Sequence, residues 1–368
     1  MKVQFLELKR QLVSIGDEIA EAITRVLDSG TYILGEEVHS FESEWASFCG
    51  AGGAVGVATG TDAIALALKA TGAVRDGQND EVITTTLTAG YTALAIQLAG
   101  GIPVFADINP YDYTIDPQSI VDSITPRTRA IVPVHIHGRM ADMSSICLIA
   151  EKHGLIVVED GSQAHGAKSD SKSAGAYGEA GAFSLYPTKN LGGFGDGGIV
   201  TARDSRALER VKTLRQGGHY EALQSSEIGV NSRLDEMQAA ILRVKLRHLQ
   251  SWNQERQRIA RVYNSSLDRI PFIQLPKVAD PLSHVFHLYV ISHPRRDDLR
   301  NYLGKNGIET LIHFPFLLHE QPHFKHSREV PLPVAERVRS TILSLPLNPW
   351  MSTDEVNYVI EVMNRFDA

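Results

Sequence analysis

The chain has 368 residues, enough for about two domains of ordinary size, and its 43% hydrophobic and 21% charged residues are those of an average globular protein. A net charge of −7 gives no basic face for a nucleic acid, and its two cysteines, Cys49 and Cys147, form no Cys-x-x-Cys pair, which argues against a disulfide scaffold or zinc ribbon and fits a reducing cytosol. No run approaches the roughly 18 apolar residues of a membrane span, and charges scattered through residues 1–10 break up any signal core, so a cytoplasmic protein is expected.

In chain order, Ala54-Val-Gly-Val-Ala58 reads as a buried strand, and residues 62–70 repeat apolar side chains at helical spacing up to Gly72. Val82-Ile-Thr-Thr85, Pro103-Val-Phe-Ala106, Ala130-Ile-Val-Pro-Val134 and Leu155-Ile-Val-Val158 predict further strands, with helices near 91–99, 117–123 and 142–153 between them. Residues 181–186 and 198–202 predict two more strands joined by a glycine-rich turn. Strands apolar on both faces that alternate with helices imply an α/β fold with a largely parallel sheet covered on both sides. After about residue 235 the texture changes. Leu242, Leu246, Leu249 and Trp252 mark a long amphipathic helix, followed by short strands, helices and a Pro/His-rich stretch from His313 to His326. This part reads as a smaller second domain hung on that helix.

In an open α/β sheet, ligands bind beyond the carboxyl ends of the strands, and three segments with chemical potential fall there. Asp160 closes the strand led by Leu155, so its carboxylate is held near the core and calls for a cationic partner. A pyridinium nitrogen would serve, as it does in pyridoxal-phosphate (PLP) sites; capping the next turn or pairing with a structural Arg would serve equally. Lys189 stands between a strand and a loop containing Gly192, Gly193, Gly195, Gly197 and Gly198. It is either a solvated surface charge or, if burial lowers its pKa, a nucleophilic amine suited to Schiff-base chemistry. A nucleotide-binding phosphate loop fails on order, because there the lysine follows the glycines. Ala58-Thr-Gly-Thr-Asp62 opens a helix directly after a strand. Its backbone N–H groups and the Thr61 hydroxyl form either an anion site or an ordinary cap, with Ser184 a further donor if the two strand ends adjoin. His135 and His137 form a His-x-His pair that invites a metal-hydrolase reading, but no spacing gathers His153, His165 or His313 around them; no metal site is expected.

Together these segments resemble the DegT-type (DegT/StrS) sugar aminotransferases, PLP enzymes of aspartate-aminotransferase-like fold. The likeness runs from Gly30-Thr-Tyr-Ile-Leu-Gly35 to Leu345-Pro-Leu347. It is carried chiefly by Glu159-Asp-Gly-Ser-Gln-Ala-His-Gly166 with Phe183-Ser-Leu-Tyr-Pro-Thr-Lys-Asn-Leu-Gly192 and Gly195-Asp-Gly-Gly198, supported by residues 229–240 and His313-Phe-Pro315. The resemblance implies a large PLP-binding domain over 1–245, with a helical arm over roughly 1–35 and a mostly parallel, seven-stranded-type sheet, and a smaller α+β domain over 246–368. Lys189 would hold PLP and shuttle the proton, and Asp160 would pair with the ring nitrogen. Gln163 would bond near the ring hydroxyl or pack on the ring, and Gly60, Thr61 and Ser184 would bind the phosphate. Asn231 would reach the phosphate of a neighbouring subunit, giving a homodimer with shared sites. Asp62 and the Gly192–Gly198 turn would serve as a cap and as close-packing elements.

L-Glutamate is the amino donor that the resemblance implies, and a nucleotide-linked keto-sugar the acceptor. The subgroup closest in appearance aminates dTDP-linked 3-keto-6-deoxyhexoses, with Tyr91, Tyr186 and His313 as candidate substrate contacts. Relatives with histidine in place of Lys189 are dehydratases, so the lysine favours transamination. Three positions depart from the family pattern: Ala89 where an aromatic residue usually stacks on the ring, His137 where tyrosine is common, and Gly161-Ser162 in place of Ala-Ala. A 4-keto sugar, a keto-inositol and a non-catalytic regulatory role remain alternatives.

Overall fold

The structure is a computed structural model that describes residues 1–221, 224–324 and 331–366. All seven strands expected between residues 54 and 202 are present: β1 (Gly53–Val57), β2 (Glu81–Thr85), β3 (Ile102–Ala106), β4 (Thr128–Val132), β5 (Ile156–Asp160), β6 (Ala180–Ser184) and β7 (Gly198–Ala202). They form one sheet in the order β1-β7-β6-β5-β4-β2-β3. Six strands run parallel, and β7 runs against both its neighbours. No helix forms in residues 185–197 between β6 and β7, so the chain returns beside β6 without the helical crossover that usually joins a parallel pair. β4 stops at Val132, two residues earlier than expected, because Pro133 has no N–H to continue the ladder.

Burial explains the apolar runs. Alternate residues of each strand face opposite sides: Ile83, Val157 and Ile199 join one apolar cluster, and Val82, Val158 and Val200 the other. The first cluster is closed by α2 (Glu36–Cys49), α5 (Pro117–Ser123), α6 (Met143–His153) and the long α8 (Glu236–Leu267). The second is closed by α3 (Gly60–Ala70), α4 (Tyr91–Leu98) and α7 (Ser205–Leu214). Local signals set several ends. α2 and α6 stop at Gly50 and Gly154, both left-handed, and α5 starts with Asp116 accepting the Ser119 N–H and proline at its first position.

α1 (Lys9–Ser29) lies along α8, with Ile15, Ile19, Ala22 and Val26 buried against Ala240, Ile241 and Val244. The Gly30–Gly35 segment meets the start of α8, where buried Glu236 accepts the N–H groups of Gly35, Glu37 and Val38. The far half of α8 supplies Ile259, Ala260, Tyr263 and Leu267 to a separate apolar cluster around β8 (Tyr289–Ser292) and β9 (Ile342–Leu345). α9 (Arg296–Lys305) and α11 (Thr353–Asn364) complete that cluster, while α10 (Pro333–Arg339) is capped by Asp107 just beyond β3. α8 crosses residue 245 as one unbroken helix. Of the Pro/His-rich stretch, Lys325 and His326 lie outside the described residues.

Candidate active site

Because β1, β2, β4, β5 and β6 are parallel, their carboxyl ends share one edge of the sheet, and a cavity of about 620 Å³ opens there. That volume suits a small-molecule ligand. Nine of the ten site residues named from sequence line it: Gly60, Thr61, Tyr91, Asp160, Gln163, Ser184, Tyr186, Lys189 and His313. The tenth, Asn231, is exposed, lies outside the cavity and forms a bridge with Gln216.

Lys189 is held in a tight turn after β6 by its N–H bond to Tyr186 O. Burial pulls its amine from 10.5 down to about 8, with the Asp160 carboxylate pulling the other way. Asp160 is only 4% exposed. Its Oδ2 accepts the Thr92 hydroxyl at 2.8 Å and its Oδ1 the Ser162 N–H at 3.1 Å. The carboxylate therefore does cap its own turn, but among the described residues no Arg or Lys forms an ion pair with it. Gln163 is fixed from its other end: Oε1 accepts the His137 N–H at 2.7 Å, so the amide must present its NH₂ elsewhere, and the residue lines the cavity.

The start of α3 is built for an anion. Thr59, not Asp62, is its N-cap, accepting the Asp62 N–H at 3.0 Å, while the Asp62 carboxylate accepts the Ser232 hydroxyl at 2.8 Å. The expectation that Asp62 is the cap is thus corrected: as the third helical residue it supplies the N–H and leaves the accepting oxygen to Thr59. Among the described residues the N–H groups of Gly60 and Thr61 have no acceptor. Ser184 does adjoin them, since a Cβ on Gly60 would sit 2.6 Å from the Ser184 Cβ.

Tyr91 (66% exposed) and Tyr186 (51%) stand at the rim, and Ala89 lines the cavity between β2 and α4. His313 bonds through Nδ1 to the Ser344 hydroxyl at 2.9 Å, and burial lowers its imidazole to about 4. His135 and His137 do not converge. His135 accepts the Ala141 N–H at Nδ1, so its Nε2 donates to buried Glu159 at 2.9 Å, which leaves neither nitrogen for a metal. His137 donates to His313 O at 3.2 Å. Gly161 faces the Phe183 ring so closely that a methyl group would displace it, which accounts for one departure from the family pattern.

Sequence reading missed Thr92 and His287, both of which contact or line this site. The available signal was the same for each: one polar residue inside an apolar run, Tyr91-Thr-Ala-Leu-Ala95 and Val285-Phe-His-Leu-Tyr289.

Comparison with known proteins agrees with this architecture. A sequence model of the DegT/DnrJ/EryC1/StrS aminotransferase family matches residues 13–364. The chain is 43% identical over 364 residues to the dTDP-3-amino-3,6-dideoxy-alpha-D-galactopyranose transaminase of Aneurinibacillus thermoaerophilus, covering 99% of each protein. It is 41% identical over 370 residues to a pleiotropic regulatory protein of Geobacillus stearothermophilus, covering 100% of this chain and 99% of that one. Among solved structures it matches S. venezuelae DesV in complex with a ketimine intermediate, with a TM-score of 0.95, 42% identity, and 99% of this chain and 98% of that chain covered.

Proposed function

Because this chain belongs to the DegT/DnrJ/EryC1/StrS aminotransferase family, we propose that it moves the amino group of L-glutamate onto carbon 3 of a dTDP-linked 3-keto-6-deoxyhexose. It is a sugar aminotransferase, and its cofactor is pyridoxal 5′-phosphate. The carrying observation is a depressed lysine amine beside a buried, hydrogen-bonded carboxylate in one cavity at the sheet edge. The choice of a 3-keto acceptor leans on the relative already named, a 3-amino-sugar transaminase 43% identical to this chain.

The residues present fit the cofactor. Two free N–H groups at a helix start, with Thr61 and Ser184, suit a phosphate. A buried carboxylate suits a ring nitrogen that must stay protonated, and a fixed amide NH₂ on Gln163 suits the ring hydroxyl oxygen. When bound, PLP draws electrons from the donor's α-carbon so that its proton can leave. Lys189, its amine lowered to about 8, is neutral often enough near pH 7 to take that proton at Nζ, and once charged can return it. Asp160 keeps the ring nitrogen protonated, and the Thr92 bond fixes the direction in which its carboxylate points. Tyr91, Tyr186 and His313 would contact the sugar from the rim. Asn231 would bind the phosphate of a neighbouring subunit in a homodimer. Free Cys49 and Cys147 fit a cytoplasmic setting.

A regulatory role has the name of the Geobacillus relative in its favour; intact Lys189, Asp160 and Gln163 favour turnover. The test offers the protein L-glutamate with a dTDP-3-keto-6-deoxyhexose, a dTDP-4-keto-6-deoxyhexose or a keto-inositol, and identifies products by NMR. The expected outcome is 2-oxoglutarate with a 3-amino sugar. Amination of either other acceptor would move the substrate assignment, and no 2-oxoglutarate with any of them would favour the regulatory reading.

A further inference from the structure

The anion cradle at the start of α3 carries a carboxylate of its own. Asp62 is the third residue of that helix, a position from which an acidic side chain can reach back over the first turn to its free N–H groups. Side chains on a helix lean toward its N-terminus, so that conformer would set a negative charge beside the Gly60 and Thr61 N–H groups. The molecule adopts a different one. Asp62 Oδ2 accepts the Ser232 hydroxyl at 2.8 Å, and the Ser232 oxygen accepts the Ala58 N–H at 3.0 Å. Ser232 is only 1% exposed and is itself fixed: its N–H donates to Arg215 O at 2.9 Å. The buried Arg215 guanidinium in turn donates to Gly56 O in β1 at 2.7 Å and to Glu42 Oε1 at 2.6 Å. One hydroxyl thus joins the backbone just before the cradle to the carboxylate just after it.

We propose that Ser232 is a positioning residue for the phosphate site: its hydroxyl holds the Asp62 carboxylate aside and leaves the Gly60 and Thr61 N–H groups open to a phosphate. The inference rests on the reading of the start of α3 as the phosphate site. A carboxylate turned back onto that helix start would occupy the donors a phosphate needs and repel it by like charge. A hydroxyl suits the task because it donates to the carboxylate and accepts a backbone N–H at once, so its proton has one direction. Without it, Asp62 Oδ2 loses its donor, and the nearest donors left open are the Gly60 and Thr61 N–H groups, which have no acceptor among the described residues. The adjoining Asn231 is exposed and bridges Gln216, so a defect transmitted through it would not depend on the charge at residue 62.

The test titrates the full-length cofactor-free protein with PLP and with pyridoxal, which lacks the phosphate, by absorbance, and with inorganic phosphate by calorimetry. Wild type is expected to bind PLP more tightly than pyridoxal. Ser232→Ala should weaken PLP and inorganic phosphate by about tenfold and leave pyridoxal unchanged. Adding Asp62→Asn to that variant should return both to within about twofold of Asp62→Asn alone, because the charge that Ser232 restrains is gone. Unchanged PLP affinity in Ser232→Ala, an equal loss for pyridoxal, or no rescue by Asp62→Asn would overturn the proposal. Equal wild-type affinities for PLP and pyridoxal would instead overturn the reading of the phosphate site itself. If Ser232→Ala does not fold, Asp62→Glu and Asp62→Gln decide. The longer carboxylate outreaches the Ser232 hydroxyl and should weaken PLP, whereas the uncharged side chain of the same length should not; equal affinities in the two would end the proposal.

Discussion

The ε-amine of Lys189 and the carboxylate of Asp160 are shaped by opposite surroundings. Burial without an ion-pair partner lowers the lysine to about 8, whereas the Asp160 carboxylate is held by two hydrogen bonds, from the Thr92 hydroxyl and the Ser162 N–H. Only the neutral amine attacks a carbonyl, so capture of PLP by the cofactor-free protein should speed up as pH rises and level off above about 8. Stopped-flow absorbance would show this; a rate still climbing steeply toward pH 10 would mean an ordinary, solvated lysine, and Lys189→Ala should abolish the signal. Asp160 was legible because a carboxylate ending an apolar run must be met by something. Thr92, which meets it, was not, since one hydroxyl in a helix is common and its target lies 68 residues away. The same holds for Arg256, whose guanidinium is buried among the carbonyls of Phe286 and Leu347 although the sequence shows only a basic helix.

At the scale of elements, the seven strands and the helices between them were legible from period and apolar content, to within a residue or two at most ends. The direction of β7 was not, because strand direction is set by the connection and not by the strand's own residues. The meeting of α3 with β6 also depends on topology: β1 and β6 are separated by β7, yet their ends adjoin at Gly60 and Ser184. Gly60→Ala should therefore force these two apart and spoil the anion site. PLP affinity should fall by about tenfold or more, some 1.4 kcal/mol, with little loss of helix content. Fluorescence titration with PLP and circular dichroism would measure both, and unchanged affinity would remove the start of α3 from the site. The glycine-rich turn is tied from outside by Lys245, buried in α8, whose Nζ donates to Gly192 O at 2.6 Å and lies over the Phe194 ring. Nothing in a helix rich in Lys and Arg marks that one lysine as buried.

For the whole molecule, two apolar layers on the sheet and a third cluster at the far end of α8 account for the change of texture near residue 235. The contact between residues 30–35 and Glu236 was not legible from either segment alone; only the resemblance hinted that both belong to one pattern. A homodimer with shared sites makes a quantitative prediction. Lys189→Ala and Asn231→Ala subunits, each inactive or weak alone, should on random mixing restore about a quarter of wild-type activity, because half the dimers gain one intact site. No recovery would place Asn231 outside the partner's site. The central claim, a PLP site built on Lys189 that accepts an amino group from L-glutamate, is tested most directly by the absorbance spectrum of the PLP-loaded protein before and after glutamate. The account predicts a visible band that bleaches with glutamate and is absent in Lys189→Ala; a wild-type protein that binds no PLP, or a band untouched by glutamate, would contradict it.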